Sequence, residues 1–274
     1  MKRIVIDPGH GGSDPGSSGN GLVEKDLNLQ IALNLQNFLS SGWECQLRLT
    51  RDRDIFVSLS DRVKFANSWP SDFFYSVHCN AFSDANANGW ESYIRLSPTP
   101  AEKTQQRIIH ETVWQYLRRF QVRDRGMKQA GYFVLRNTKN SAMLSEYLFV
   151  TGDRDNVLLK DAEILKGMAY VTAQGLAKAL NLPEKKEVNE AMDNAIVINS
   201  YADFPAAEPL ARKLNAPLFI RLALNDLNKA KTIFVCGGDL QQIKEAAPKA
   251  KIINLSGADR YQTSENIARL LQQL

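Results

Sequence analysis

The feature that most limits what this chain can fold into is its rhythm: short apolar runs broken by turn residues, each followed by a helical stripe. The run Arg3-Ile4-Val5-Ile6 stops at Asp7-Pro8-Gly9, which reads as a buried strand entering a tight turn. From Leu27, apolar residues recur at Ile31, Leu35 and Phe38 with Leu39 beside them, the stripe of a core-facing helix. Strands are expected at Cys45–Leu49, Phe73–Val77, Trp90–Leu96, Tyr132–Leu135 and Ala142–Glu146. Helices are expected at Ala101–Phe120 and Asn156–Leu180, with a shorter one capped by Ser58 or Ser60 and running through Val63 and Phe65 to Ala66. Strands alternating with helices through short connections imply an α/β fold, a parallel sheet with helices packed on it.

The rhythm breaks at Pro183-Glu184-Lys185-Lys186-Glu187-Val188-Asn189-Glu190, a charged stretch with a lone valine. Such a stretch reads as a linker. The expected division is a first domain over 1–182, a linker over 183–192 and a second, smaller α/β parallel-sheet domain over 193–274. In the second part, strands are expected at Ala195–Asn199, Leu218–Leu222, Thr232–Cys236 and Ile252–Leu255. Helices are expected at Phe204–Leu214, Gln241–Ala247 and Asp259–Leu271. Each part is long enough to bury its own core.

Composition excludes several classes of protein. Lysine and arginine number 34 against 30 aspartates and glutamates, too small an excess for a nucleic-acid-binding face. No run of about 18 apolar residues occurs, so no membrane span is expected. The opening Met-Lys-Arg-Ile-Val-Ile-Asp lacks the apolar core of a signal peptide. Three cysteines, Cys45, Cys79 and Cys236, show no Cys-x-x-Cys spacing, which argues against a disulfide framework or a thiolate metal site. Synthesis in the reducing cytoplasm, without an export signal, is the expectation.

Chemistry concentrates early in the chain. Of three histidines, His10 and His78 end apolar runs, and strand ends in open α/β sheets are where sites form. Between them lies a loop, Gly11 to Gly21, with five glycines, three serines and one proline, and just past it Glu24. Either histidine alone would read as structural. Two imidazoles with one carboxylate form a recurring catalytic zinc shell that leaves a fourth position open. The glycine-rich loop lacks the Gly-Lys-Ser/Thr ending of a nucleotide loop. Arg51, Asp52, Asp61 and Arg62 are expected to form a salt-linked support beside the site, and His110 to be a surface residue of a helix.

These residues sit in an ordered series of motifs. Asp7-Pro8-Gly9-His10-Gly11-Gly12, Asp14-Pro15-Gly16, Glu24-Lys25, Thr50-Arg51-Asp52, Ser76-Val77-His78-Cys79-Asn80-Ala81, Arg125-Gly126-Met127-Lys128 and Ala142-Met143-Leu144-Ser145-Glu146 follow one another over residues 1–182. The series resembles the type 3 family of N-acetylmuramoyl-L-alanine amidases. The resemblance implies a twisted, mostly parallel sheet flanked by helices, zinc ligands at His10, Glu24 and His78, and a catalytic glutamate at Glu146. It implies peptidoglycan as substrate, cut at the amide between the lactyl group of N-acetylmuramic acid and L-alanine. The chain departs from the family's pattern at Cys79, where a small residue is usual, and at Ser145 and Tyr147 around the glutamate.

The second part resembles another module, the type 2 cell-wall-binding repeat. The carrying residues are Asp203-Phe204, Pro209-Leu210-Ala211, Leu214-Asn215-Ala216-Pro217-Leu218, Phe234-Val235-Cys236-Gly237-Gly238 and Ser256-Gly257-Ala258-Asp259-Arg260-Tyr261-Gln262-Thr263. The resemblance implies an anionic cell-wall polymer as partner. Such repeats usually occur in threes, and a single copy raises the expectation of a homo-oligomer, a trimer, through this domain. Arg260 is expected to hold the turn before the last helix. A wall hydrolase made without a leader suits either a phage or prophage endolysin or a sporulation autolysin, acting at the wall after release. A wall-binding protein without activity and a zinc peptidase of the stem remain the competing classes.

Overall fold

The computed structural model describes residues 1–185, 192–199, 203–220, 227–238 and 240–274. The chain divides into two compact units, Met1–Lys185 and Lys186–Leu274. In the first, the strands are β1 (Lys2–Pro8), a two-residue pair β2 (Ser18–Gly19) and β3 (Leu22–Val23), β4 (Cys45–Leu49), β5 (Phe73–Asn80), β6 (Trp90–Ile94), β7 (Asp124–Gln129) and β8 (Ser141–Phe149). The helices are α1 (Glu24–Gly42), α2 (Leu59–Ser68), α3 (Pro100–Leu117), α4 (Phe133–Asn137), α5 (Asp153–Leu159) and α6 (Ala162–Leu180). Six strands form one sheet in the order β4-β1-β5-β8-β6-β7. Its pairs are parallel except β6 with β8, so the sheet is mostly parallel, as expected.

The pleat sorts this sheet into two faces. Ile4, Ile6, Phe73, Tyr75, Val77, Cys79, Met143 and Tyr147 join the buried faces of α1, α3 and α6. Their alternates Val5, Phe74, Ala142 and Leu144 pack with Val63 and Ala66 of α2 and Val134 and Leu135 of α4. This is the period of two that side chains follow along a strand. In α1, Leu27, Ile31, Leu35 and Leu39 are buried one turn apart and contribute about 1.5–3 kcal/mol each. Ser145 and Tyr147, the departures from the family's pattern, point into the larger core. There Ser145 Oγ donates to Tyr75 OH at 2.6 Å, Tyr75 OH lies 2.7 Å from Tyr147 OH, and Tyr147 OH lies 2.5 Å from Thr172 Oγ1. The buried hydroxyls satisfy one another, which is what burial of polar groups demands.

Several elements differ from expectation. Tyr132–Leu135 is not a strand: Tyr132 precedes α4, a short helix whose Val134 and Leu135 are buried. Four apolar residues in a row carry no period long enough to tell strand from helix. The expected helix over 156–180 is two helices, because Asp161 caps a new start by accepting from the N–H groups of Glu163 and Ile164. The edge strand β7 was not anticipated. His110 is not on the surface: it is 3% exposed, between Ser92 Oγ at 2.8 Å and Asp124 Oδ1 at 3.0 Å. Of the expected linker, Pro183–Lys185 pack on the first unit, with Glu44 N–H donating to Pro183 O and Lys185 N–H to Gly42 O; residues 186–191 lie outside the described residues.

The second unit contains β9 (Met192–Ile198), α7 (Phe204–Leu214), β10 (Leu218–Ile220), β11 (Ala230–Cys236), α8 (Gln241–Ala246), β12 (Lys251–Asn254) and α9 (Arg260–Leu271). Its sheet, in the order β10-β9-β11-β12, is parallel throughout. Ala195, Val197, Ile233 and Val235 face Ile243 of α8, while Ile196, Ile198, Phe234 and Cys236 face Leu210 of α7 and Ile267 of α9. The end of the strand expected at Leu218–Leu222 falls on residues outside those described. Among the described residues, no helix is long and apolar enough to cross a membrane.

Candidate active site

The site starts where β1 stops. Gly9 N–H donates to Val77 O at 2.9 Å, and His10 follows at φ +60°, a left-handed conformation that a non-glycine residue holds only when its surroundings impose it. Two guanidinium groups do so. Arg51 donates from Nε to Pro8 O at 3.0 Å and from Nη2 to Gly9 O at 2.9 Å and Lys25 O at 2.7 Å. Arg62, on α2, donates from Nη1 to Pro8 O at 2.6 Å and from Nη2 to His10 O at 2.7 Å. Arg62 also pairs with Asp7 at 2.7 Å, both being buried. Asp52 and Asp61 stay exposed and pair with Arg53 and Lys64, so the expected support forms through Asp7 and backbone carbonyls instead.

Three side chains converge in front of this turn. His10 Nε2 lies 3.2 Å and His78 Nδ1 3.0 Å from Glu24 Oε1. One ligand atom from each residue lies within 4.8 Å of the other two. Glu24 opens α1, where the helix dipole favours a carboxylate. Its Oε2 accepts from Ser17 N–H at 2.9 Å and its Oε1 from Asn28 Nδ2 at 3.4 Å. Burial alone would raise the Glu24 pKa, but hydrogen bonds and charge from the two imidazoles hold it far below the carboxylate range. Burial likewise works against a charged His10, and Glu24 and Asp14 overcome it and raise the His10 pKa. Asp14 Oδ2 lies 2.8 Å from His10 Nδ1, which leaves Nε2 facing the cluster. A buried carboxylate between two imidazoles suits a divalent cation such as zinc, which can displace the protons they share. The glycines make room: a Cβ on Gly9 would lie 2.1 Å from the His78 ring, and one on Gly16 2.6 Å from both Glu24 Oε2 and the His10 ring.

Glu146 completes the group. It is the register partner of His78 across β5 and β8, and both lie on the face that carries α2 and α4. The register shifts immediately beyond, between His78 and Asn80, and Leu148 stands at φ +55° in the irregular segment. Bulges of this kind cluster beside active sites. Burial first, then the charges of Glu24 and Glu91, push the Glu146 pKa well above the usual carboxylate value. His10, His78 and Glu146 line one cleft of about 620 Å³, with Phe56, Leu59, Tyr132 and Phe133 as its apolar wall. Cys79 points the other way, into the large core, where burial raises its thiol pKa. The roles of Asp7 and Asp14 were missed; both stand inside the quoted motifs, but a single aspartate in a turn gives no sign of its partner.

Fold and cleft together define an α/β domain with a His-Glu-His cluster, able to hold a metal ion, at its strand ends. The family model for N-acetylmuramoyl-L-alanine amidase matches residues 4–178. The chain is 37% identical over 184 residues to an endolysin of Bacillus phage SPP1, covering 67% of this chain and 68% of that protein. It is 39% identical over 225 residues to the sporulation-specific N-acetylmuramoyl-L-alanine amidase of Bacillus subtilis (strain 168), covering 82% of this chain and 85% of that protein. Among solved structures, the catalytic domain of CwlV, an amidase of Bacillus (Paenibacillus) polymyxa var. colistinus, superposes with a TM-score of 0.62 at 30% identity, over 66% of this chain and 99% of that one. An amidase of Clostridium difficile 630 gives a TM-score of 0.62 at 34% identity, over 66% and 97%. The chain belongs to the N-acetylmuramoyl-L-alanine amidase family.

Proposed function

We propose that this cell-wall amidase hydrolyses the amide between the lactyl group of N-acetylmuramic acid and L-alanine, with one zinc ion held by His10, Glu24 and His78 and with Glu146 carrying the proton. The observation that supports this most is the convergence of two imidazoles and a carboxylate with a high-pKa carboxyl in register beside them. A zinc ion bound there supplies Lewis-acid polarisation and a water acidified towards a pKa of about 7. The protein's own residues do the rest. Asp14 holds the His10 tautomer through Nδ1, and Arg51 and Arg62 hold the turn that presents the ring. Glu146 takes a proton from the attacking water and gives it to the departing nitrogen, which must leave as a neutral amine. A carboxylate placed beside the attacking water and the departing nitrogen can accept that proton and return it, and Glu146 stands in register with His78.

We also propose that the second unit holds the enzyme on an anionic wall polymer, and that chains associate through it as trimers. The sporulation amidase match supports a shared second region, because 82% of this chain exceeds what Met1–Lys185 alone can supply. The likeness to both an endolysin and a sporulation amidase supports a hydrolase acting on the wall after release, in either setting.

The test is zinc content and product analysis on purified peptidoglycan for the native chain and Glu146→Gln. About one zinc per chain and intact stem peptides released are expected. The variant should keep its metal and lose about 10²–10⁴-fold in turnover. Shortened stems would mean a peptidase, and zinc with no product would mean a wall-binding protein.

A further inference from the structure

The run Arg125-Gly126-Met127-Lys128 takes no part in the chemistry above, yet it forms the edge strand next to β6, whose Glu91 pairs across with Glu146. Residues three apart on a regular strand face opposite sides. Here the register of β7 against β6 shifts: Trp90 pairs with Asp124 but Glu91 with Gly126, which leaves Arg125 as the extra residue, and Gly126 stands at φ +86°. The bulge re-aims Arg125 to join Lys128. Arg125 Nε donates to Glu91 Oε2 at 3.0 Å, and Lys128 Nζ donates to the same oxygen. Glu91 Oε1 is already occupied by Asn80 Nδ2 at 2.6 Å and Tyr93 OH at 3.0 Å.

Glu91 is 3% exposed and is the cross-strand partner of Glu146, so the two carboxylates share a face of the sheet. Arg125 and Lys128 therefore both contact a single carboxylate, that of Glu91. Their side chains remain about a third exposed, at 32% for Arg125 and 37% for Lys128. Among the described residues, neither Nη of Arg125 has a hydrogen-bond partner; the guanidinium lies over the Phe149 ring, 4.9 Å from its centroid. A guanidinium anchored by Nε with its terminal nitrogens open is arranged to take a planar anion side-on. Neutralising Glu91 would need only one of the two cations.

We propose that Arg125 and Lys128 form the subsite for a carboxylate of the peptide on the leaving side of the scissile amide, with the β7 bulge holding both cations on Glu91, the cross-strand neighbour of Glu146. This rests on the amidase reading, because it takes an acidic peptide as one half of the substrate.

The experiment uses the full chain and two stem peptides joined to N-acetylmuramic acid, identical except that one carries free carboxylates and the other carboxamides. Native protein and Arg125→Gln are compared in KM and kcat, and in calorimetric binding of the corresponding free stem peptides, which needs no turnover. The native chain should favour the free-carboxylate form by about tenfold, chiefly in KM, the effect of one charge-assisted contact. Arg125→Gln should lose that preference, Arg125→Lys should restore part of it, and a thermal melt establishes that each variant is folded. Lys128→Gln replaces Arg125→Gln if the latter does not fold. A native chain that treats both forms alike, or a folded variant that keeps the native preference, overturns the subsite. If the native chain cleaves neither form, the amidase reading fails on its own and the binding measurement still decides the subsite.

Discussion

Asp7 sits in the floor of the site without touching the cleft's chemistry. It is 1% exposed and accepts from Thr50 Oγ1 at 2.5 Å, Ser76 Oγ at 2.7 Å and Arg62 Nη1 at 2.7 Å. Burial opposes its charge, but Arg62 and the two hydroxyls prevail, and its pKa is lowered. An aspartate with a lowered pKa adds stability at neutral pH that persists above its unfolded value. That stability is lost as the pH falls below about 4, towards the lower folded value. Arg62→Met leaves the carboxylate buried without its partner and is expected to cost about 3–5 kcal/mol in urea denaturation. Adding Asp7→Asn should recover part of that loss, because the uncompensated charge is then gone. Equal loss in the single and double variants would show that the contacts of Arg62 to Pro8 and His10, rather than the ion pair, carry its effect.

Among the elements, β7 is the one whose shape matters most for its length. Gly126 has nothing within 4 Å of where a Cβ would stand, so its φ of +86° is the only barrier to a side chain there. Gly126→Ala is expected to cost about 1 kcal/mol in stability. It should also weaken discrimination between free and amidated stems, measured as above. The same strand shows where reading a sequence stops. The strands β1, β5 and β8 were legible because Ile4–Ile6, Phe73–Val77 and Ala142–Leu144 are apolar on both faces, as a covered parallel sheet requires. By contrast β7, Asp-Arg-Gly-Met-Lys-Gln, is charged and interrupted by glycine, and its strand state comes from pairing with β6. His110 was misplaced for a related reason: helical period marks a face, but only the fold shows that Ser92 and Asp124 wait there with hydrogen bonds. His10, Glu24 and His78 were brought together by motif order, and no spacing of residues could have revealed the grip of Arg51 and Arg62 on the turn between them.

At the level of the whole molecule, each unit has its own sheet and its own buried clusters. A chain ending at Lys185 therefore keeps every residue of the site and the core beneath it. It is expected to fold, to cleave soluble muropeptides as the full chain does, and to sediment less with intact walls. Light scattering should give a trimer mass for the full chain and a monomer mass for the shortened one. A full chain that is monomeric at high concentration would remove the trimer, and equal wall retention by both chains would remove the anchoring role.

The pleat gives β5 two tasks in alternate residues, with Phe73, Tyr75, Val77 and Cys79 filling the large core and His78 facing the cleft. The two tasks are locked in phase, because a shift of one residue exchanges the faces. An insertion or deletion inside 73–80 would bury an imidazole and bring a thiol towards the cleft, whereas the exposed stretch 82–86 imposes no such phase. Relatives are therefore expected to vary in residue type and in loop length while keeping the number of residues from the start of β5 to the histidine at its end, which comparing their sequences would check.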